Sequence, residues 1–389
     1  MSATVKMWRL GRSGASDAPA PAGDRPAIGS LAARVCRNAG LGALALLGLV
    51  LSAVPARCEP PRLFNFYDFQ FENGSVLPEL RIAYETRGTL SPARDNAIVL
   101  IHDARGNRHD FDGLIGPGKP FDTDKYFVVT ADMIGGGDSA APADGPGQDF
   151  PRYTIRDMME AQNALVTRGL ELTRVRAVGG NSMGAFIALE WGIHYPELMQ
   201  GIVLLAPSVK TEASLDLIID VMTSVIALDP EWHGGRYTRN PVEGLRHAGM
   251  LYYPWDVSAP YLDRVSGQRL AKEVEATAQS FAIWDANSLV MRYAACRGHD
   301  VSVPYAGDMS AALARVAASV LIMPVDSDRL LGLMGARRIR DGVKRATYVE
   351  IPSDLGHRAI YALPETAERE LIDQTLRGFL ATLNIKTGG

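Results

Sequence analysis

Gly180-Asn181-Ser182-Met183-Gly184 has the form G-x-S-x-G and stands where a strand should turn into a helix. Upstream, Val175-Arg176-Ala177-Val178 alternates apolar and polar residues about a β-branched core, the pattern of a short buried strand. Downstream, Ala185 to Trp191 (AFIALEW) is a run of helix formers that Pro196 closes. A serine on so sharp a turn is driven into strained backbone geometry, and its neighbours must be small because strand and helix nearly touch. The serine hydroxyl is then exposed at the top of a sheet, with N–H groups at the helix start free to receive a developing oxyanion. The spacing predicts a nucleophile elbow.

Working outward, Phe64 to Phe71 and Leu80 to Thr86 read as paired strands about the Asn73-Gly74 turn. Asn96 to Ile101 is a buried strand leading into His102-Asp103-Ala104-Arg105-Gly106, and Tyr126 to Ala131 is another. Thr154 and Asp157 have the spacing of a capping box at a helix start. Further strands are expected at Gly201 to Ala206, Ser319 to Pro324 and Ala346 to Ile351, and a closing amphipathic helix at Glu365 to Leu383. Between Ser208 and Pro304 the strand pattern vanishes and helical periodicity takes over, broken by Trp, Tyr and Pro clusters. The expectation is an α/β fold: a mostly parallel sheet flanked by helices, with its core at 59–207 and 305–389 and a helical lid at 208–304.

The chain has 389 residues, 47% of them apolar, and a formal net charge of -4, ordinary for a globular enzyme. It has no basic run interleaved with aromatics, which argues against a nucleic-acid partner. It has no Gly-rich phosphate loop of the Walker type, no repeat of fixed period and no His/Glu pair at helical metal spacing, so neither cofactor nor metal is expected. Cys36, Cys58 and Cys296 lack metal-ligand spacing and do not suggest a disulfide framework.

Residues 1–58 differ in composition from the rest. A Pro/Ala/Gly-rich stretch with Arg9, Arg12, Arg25, Arg34 and Arg37 precedes Leu41 to Ala56 (LGALALLGLVLSAVPA), which carries no charge. That run falls short of the ~18–20 residues a membrane span needs and ends in small residues. It reads as a signal peptide, with Val54 and Ala56 at the −3 and −1 positions of a cleavage site. The expected location is periplasmic or secreted; the alternative is an uncleaved anchor that tethers the enzyme to a membrane.

A serine needs a base, and the base needs an orienting carboxylate. Behind an elbow of this kind the acid and then the histidine follow in chain order. His357, in Asp354-Leu355-Gly356-His357, directly follows the strand ending at Ile351, whereas His299 has no strand feeding it. His357 is the expected base. Asp326 and Asp328 both follow the strand at 319–324, and spacing does not choose between them. The expected oxyanion donors are the backbone N–H groups of Met183 and Ala104.

With these residues placed, the chain resembles the homoserine O-acetyltransferase family of α/β-hydrolases. The matching stretches are Gly116-Pro117-Gly118-Lys119-Pro120, Asp122 to Phe127, Thr154 to Met158, the elbow with Leu189-Glu190-Trp191, Asp229-Pro230-Glu231-Trp232, Asp285-Ala286-Asn287-Ser288, Asp326-Ser327-Asp328 and Gly356-His357. They cover most of residues 65–383 in family order. The resemblance implies that Asp328, the second aspartate of the D-S-D motif, is the acid, that a helical lid covers the site, and that the lid can support a homodimer. It also exposes two departures. Where the family holds a substrate carboxylate with a lid arginine, this chain has Thr223. Where the family holds the substrate amine with an aspartate after the catalytic histidine, it has Arg358.

Losing two charge-assisted hydrogen bonds of ~1.5–3 kcal/mol each would weaken a zwitterionic substrate on the order of a hundred- to ten-thousand-fold. The expected activity is therefore hydrolysis of a carboxylic ester or related acyl bond of a small molecule through an acyl-serine. The alternatives are an O-acyltransferase using an acyl-CoA donor and a non-catalytic binding protein. Arg358 suggests an acidic substrate group or else a surface ion pair. Trp232, Tyr252, Tyr253, Trp255 and Trp284 suggest an apolar pocket or else the lid's own core.

Overall fold

The computed structural model describes residues 60–383. The expected leader at 1–58, with its signal sequence, lies outside the described residues. No described helix is long and apolar enough to cross a membrane.

Eight strands form one sheet of order β1-β2-β4-β3-β5-β6-β7-β8: β1 (Arg62–Gln70), β2 (Val76–Arg87), β3 (Ala97–Ile101), β4 (Phe127–Ala131), β5 (Val175–Asn181), β6 (Met199–Leu205), β7 (Ser319–Met323) and β8 (Ala346–Tyr348). The first two are an antiparallel hairpin, β2 runs antiparallel to β4, and every later pairing is parallel. The hairpin closes at Asn73-Gly74, where Gly74 takes φ +81° and the Asn73 side-chain oxygen accepts the Ser75 N–H at 2.9 Å.

Both faces of the sheet are covered, which explains why the central strands read as unbroken apolar runs. On β3, Ala97, Val99 and Ile101 join one core and Ile98 and Leu100 the other, the period of two that a pleated strand imposes. α1 (Ile155–Ala164) and α2 (Met183–His194) cover the first face. The capping box at Thr154 and Asp157 is made in both directions, at 3.1 and 2.8 Å.

Between β6 and β7 lie α3 (Ala213–Ala227), α4 (Val242–Asp256), α5 (Ala259–Arg264), α6 (Gly267–Ala282), α7 (Ala286–Cys296) and α8 (Met309–Ala314). The neck of this helical insertion is a short antiparallel pairing: Thr211 N–H to His299 C=O at 2.8 Å, and Val301 N–H to Val209 C=O at 3.1 Å. Beyond β7 come α9 (Met334–Gly342) and, after β8, α10 (Ala367–Thr382), whose Ile372, Leu376 and Leu380 seal the second face. The regular part of β8 is shorter than the 346–351 run in the sequence. Pro324 has no N–H to extend the ladder, although its carbonyl still accepts from Ile351 at 2.8 Å.

Candidate active site

β5 ends at Asn181 and α2 begins at Met183, leaving Ser182 alone to make the turn at φ +53°, ψ −117°. That backbone is costly for a non-glycine residue, on the order of 1–3 kcal/mol, and persists only because its surroundings hold it. The flanking glycines show how tight they are. A Cβ on Gly180 would stand 2.0 Å from the Gly184 carbonyl oxygen, and one on Gly184 would stand 2.1 Å from the Ile101 carbonyl oxygen.

Ser182 Oγ lies 2.9 Å from His357 Nε2, and His357 Nδ1 lies 2.7 Å from Asp328 Oδ2. These residues come from three loops at the carboxyl ends of β5, β7 and β8. The remaining oxygen of Asp328 accepts the N–H groups of Leu330 and Leu331 at 2.7 and 3.2 Å, which aims its partner oxygen at the imidazole. Asp326, its rival in the sequence, instead accepts the Ser353 N–H at 3.0 Å and staples the two loops together. Burial alone would lower the His357 pKa, but the charge and hydrogen bond of Asp328, with Asp256 and Asp103 farther off, raise it above the usual histidine value. Gly356 takes φ +65°, and a Cβ there would meet Val257 and Ser258 of the lid within 2.8 Å.

Met183 and Ala104 both line the cavity over Ser182, and neither backbone N–H has an acceptor among the described residues. The loop that presents Ala104 is pinned by His102, whose Nδ1 donates to the Asp103 carbonyl at 2.7 Å and whose Nε2 accepts the Met133 N–H at 3.0 Å. Burial, with Arg292 nearby, pushes the His102 pKa down to about 4, so the ring stays neutral. His102, Asp103 and Asp110 cluster closely enough to suggest a cation site, but both imidazole nitrogens are already engaged.

The cavity volume is about 20 Å³. That is room for one or two water-sized groups. A larger hollow of about 420 Å³ lies at the opposite ends of the strands, among Val175, Met199 and Ser319, and no histidine lines it. Cys296 also borders the Ser182 cavity, but burial pushes its thiol up to about 12, far from thiolate chemistry at neutral pH.

The structure places the other residues raised by the sequence, and it decides between the alternatives left open for Arg358 and the lid aromatics. Thr223 does not line the cavity; Leu215 is the α3 residue that does. Arg358 turns toward the lid, not the pocket. It donates to Asp256 at 2.8 Å, Glu273 at 3.1 Å and Thr277 at 3.0 Å, and lies 4.8 Å over the Tyr253 ring. Of the five lid aromatics only Tyr252 borders the cavity. Trp255 and Trp284 sit under Arg329 and Arg292, and Trp232 packs on Tyr237. His299 is buried against Phe186, 3.7 Å from Glu190. Arg105 was not singled out in the sequence, yet it borders the cavity beside Ala104.

A family model described as the alpha/beta hydrolase fold matches residues 96–357. The chain is 34% identical to a homoserine O-acetyltransferase of Leifsonia xyli subsp. xyli, over 74% of this chain and 83% of that protein. It is 32% identical to a homoserine O-succinyltransferase of Aromatoleum aromaticum, over 80% of this chain and 95% of that protein. Among solved structures it is similar to an acetylester hydrolase from Corynebacterium glutamicum, with TM-score 0.77 and 25% identity over 83% of this chain and 96% of that one. The chain belongs to the homoserine O-acetyltransferase family of the α/β-hydrolase fold, and it is an enzyme of hydrolase or acyltransferase type.

Proposed function

We propose that the enzyme hydrolyses esters of a short acyl group through an acyl-serine intermediate on Ser182. The observation that carries this reading is the hydrogen-bonded chain from Ser182 through His357 to Asp328, at 2.9 and 2.7 Å. Ser182 Oγ attacks the ester carbonyl while His357 Nε2 takes its proton. Asp328 holds the imidazole in the productive tautomer and stabilises the imidazolium. The carbonyl oxygen, now an anion, is received by the N–H groups of Met183 and Ala104. Collapse expels the alcohol, which takes its proton from His357. A water deprotonated by the same imidazole then releases the acid and restores the serine hydroxyl. The narrow cavity suits a small acyl group.

The relatives' names divide between transfer to homoserine and hydrolysis of acetyl esters, so the acceptor must be argued from this chain. Transfer to a zwitterion has little support: Thr223 does not line the cavity, and the Arg358 side chain is committed to Asp256 and Glu273. Incubation with an acetyl ester, or with acetyl-CoA, in the presence of excess homoserine tests this by product analysis. The expected product is free acetate. Formation of O-acetylhomoserine faster than acetate would overturn hydrolysis in favour of transfer and leave the acyl-serine chemistry intact.

A further inference from the structure

We propose that Arg105 is an anion-recognition residue of the substrate site, and that the physiological substrate is an ester carrying a carboxylate within a few bonds of the scissile carbonyl. The inference rests on the acyl-serine reading and adds the substrate class. Arg105 directly follows the oxyanion donor Ala104 and borders the same cavity as Ser182 Oγ. Its guanidinium lies over two lid rings, 4.6 Å from the Tyr252 centroid and 4.8 Å from that of Phe281. Stacking occupies the face of the group and leaves its N–H edges free.

Of the five N–H donors of a guanidinium, one is used here, by Ser280 Oγ at 3.2 Å. Among the described residues no carboxylate oxygen stands within ion-pair distance of Arg105, and none of its nitrogens is sealed away without a partner. The two acids whose charge acts on Arg105, Asp103 and Asp256, already hold other hydrogen bonds. Asp103 accepts the Arg105 backbone N–H at 2.8 Å and the Tyr361 hydroxyl, and Asp256 accepts from Arg358 at 2.8 Å. Arg292, also without a carboxylate, is the contrast. It is fully buried, and its terminal nitrogens are taken up by the carbonyls of Gly106, Met133 and Ile134. Arg292 is a structural cation; Arg105 is held by its face, with Ser280 the acceptor of one donor and the others unoccupied, at the cavity that Ser182 lines. A planar fork so placed fits a carboxylate. With no acidic side chain turned to a substrate amine at position 358, the fit is to a simple anion and not to a zwitterion.

Two matched pairs of esters test this: 3-acetoxypropionate against 3-acetoxypropionamide, with the charge in the alcohol half, and monomethyl succinate against methyl succinamate, with the charge in the acyl half. The expected result is a kcat/KM preference for the anion of ~10–100-fold in at least one pair, which also identifies the half that carries the charge. In Arg105→Met that ratio collapses toward unity, and in Arg105→Lys it is partly recovered; any loss common to both esters cancels in the ratio. A wild-type preference for the neutral ester in both pairs, or a ratio unchanged in Arg105→Met, overturns the proposal. Should the wild type turn over none of the four esters, the hydrolysis reading fails on its own, and calorimetric titration with 3-acetoxypropionate and with monomethyl succinate decides the anion site. Saturable binding of either that is lost in Arg105→Met supports the site. Absence of binding by both, or equal binding in wild type and variant, overturns it.

Discussion

Two opposing demands meet at the imidazole of His357. Burial disfavours its charged form, while Asp328 at 2.7 Å, with Asp256 and Asp103 beyond, favours it, and the balance lies on the raised side. A general base works only when unprotonated, so activity is lost as pH falls through that raised pKa. The acid limb of kcat/KM for an uncharged ester is expected to have its midpoint above pH 6.5, the ordinary histidine value. Asp328→Asn removes the charge that raises it, moving the midpoint down and lowering kcat by ~10⁴-fold through the wrong tautomer. A wild-type midpoint at or below 6.5 would contradict this electrostatic balance.

Ser182 and His357 were legible in the sequence because an elbow and a post-strand loop are local patterns. Asp326 and Asp328 share one loop, so only the three-dimensional course separates them: one faces Ser353 and the other His357. Arg105 was illegible because its direction is set by Tyr252 and Phe281, about 150 and 175 residues further along the chain. Arg358 was misleading for the same reason, since its partners lie on distant lid helices.

At the scale of elements, the loop bearing His357 is tied to the lid. Arg358 bridges to Asp256 on α4 and Glu273 on α6, Ser258 donates to the Asp354 carbonyl, and Arg264 pairs with Asp354. His357 and the roof of the cavity are thus fixed to each other, and a loosened latch disturbs both. Arg358→Met leaves the buried Asp256 carboxylate without its partner, at an expected cost of ~1–3 kcal/mol. Asp256→Asn in the same chain should recover part of that cost, because it removes the orphaned charge. Denaturant unfolding of the two single variants and the double variant measures the coupling; strict additivity would show that the latch carries no energy.

The strands were legible because burial on both faces writes continuous apolar runs into them. The hairpin was legible from Asn73-Gly74, and α1 from its capping box. The end of β8 was not, since Pro324, directly after the neighbouring strand β7, interrupts the ladder there. The neck of the lid escaped notice too, because a two-residue pairing leaves no periodic trace.

Over the whole molecule, one mostly parallel sheet delivers a serine, an aspartate and a histidine from β5, β7 and β8 to the same edge. The helical insertion between β6 and β7 then roofs them. The succession of strands along the chain was legible, but their order in the sheet was not, and the cavity volume of about 20 Å³ follows from lid packing and could not be read beforehand. The most direct measurement is mass analysis of the enzyme acid-quenched during turnover of a short acyl ester. One acyl group on the peptide containing Ser182, absent together with turnover in Ser182→Ala, is the predicted result. Turnover that persists in Ser182→Ala, or an acyl group carried by another residue such as Cys296, would contradict it.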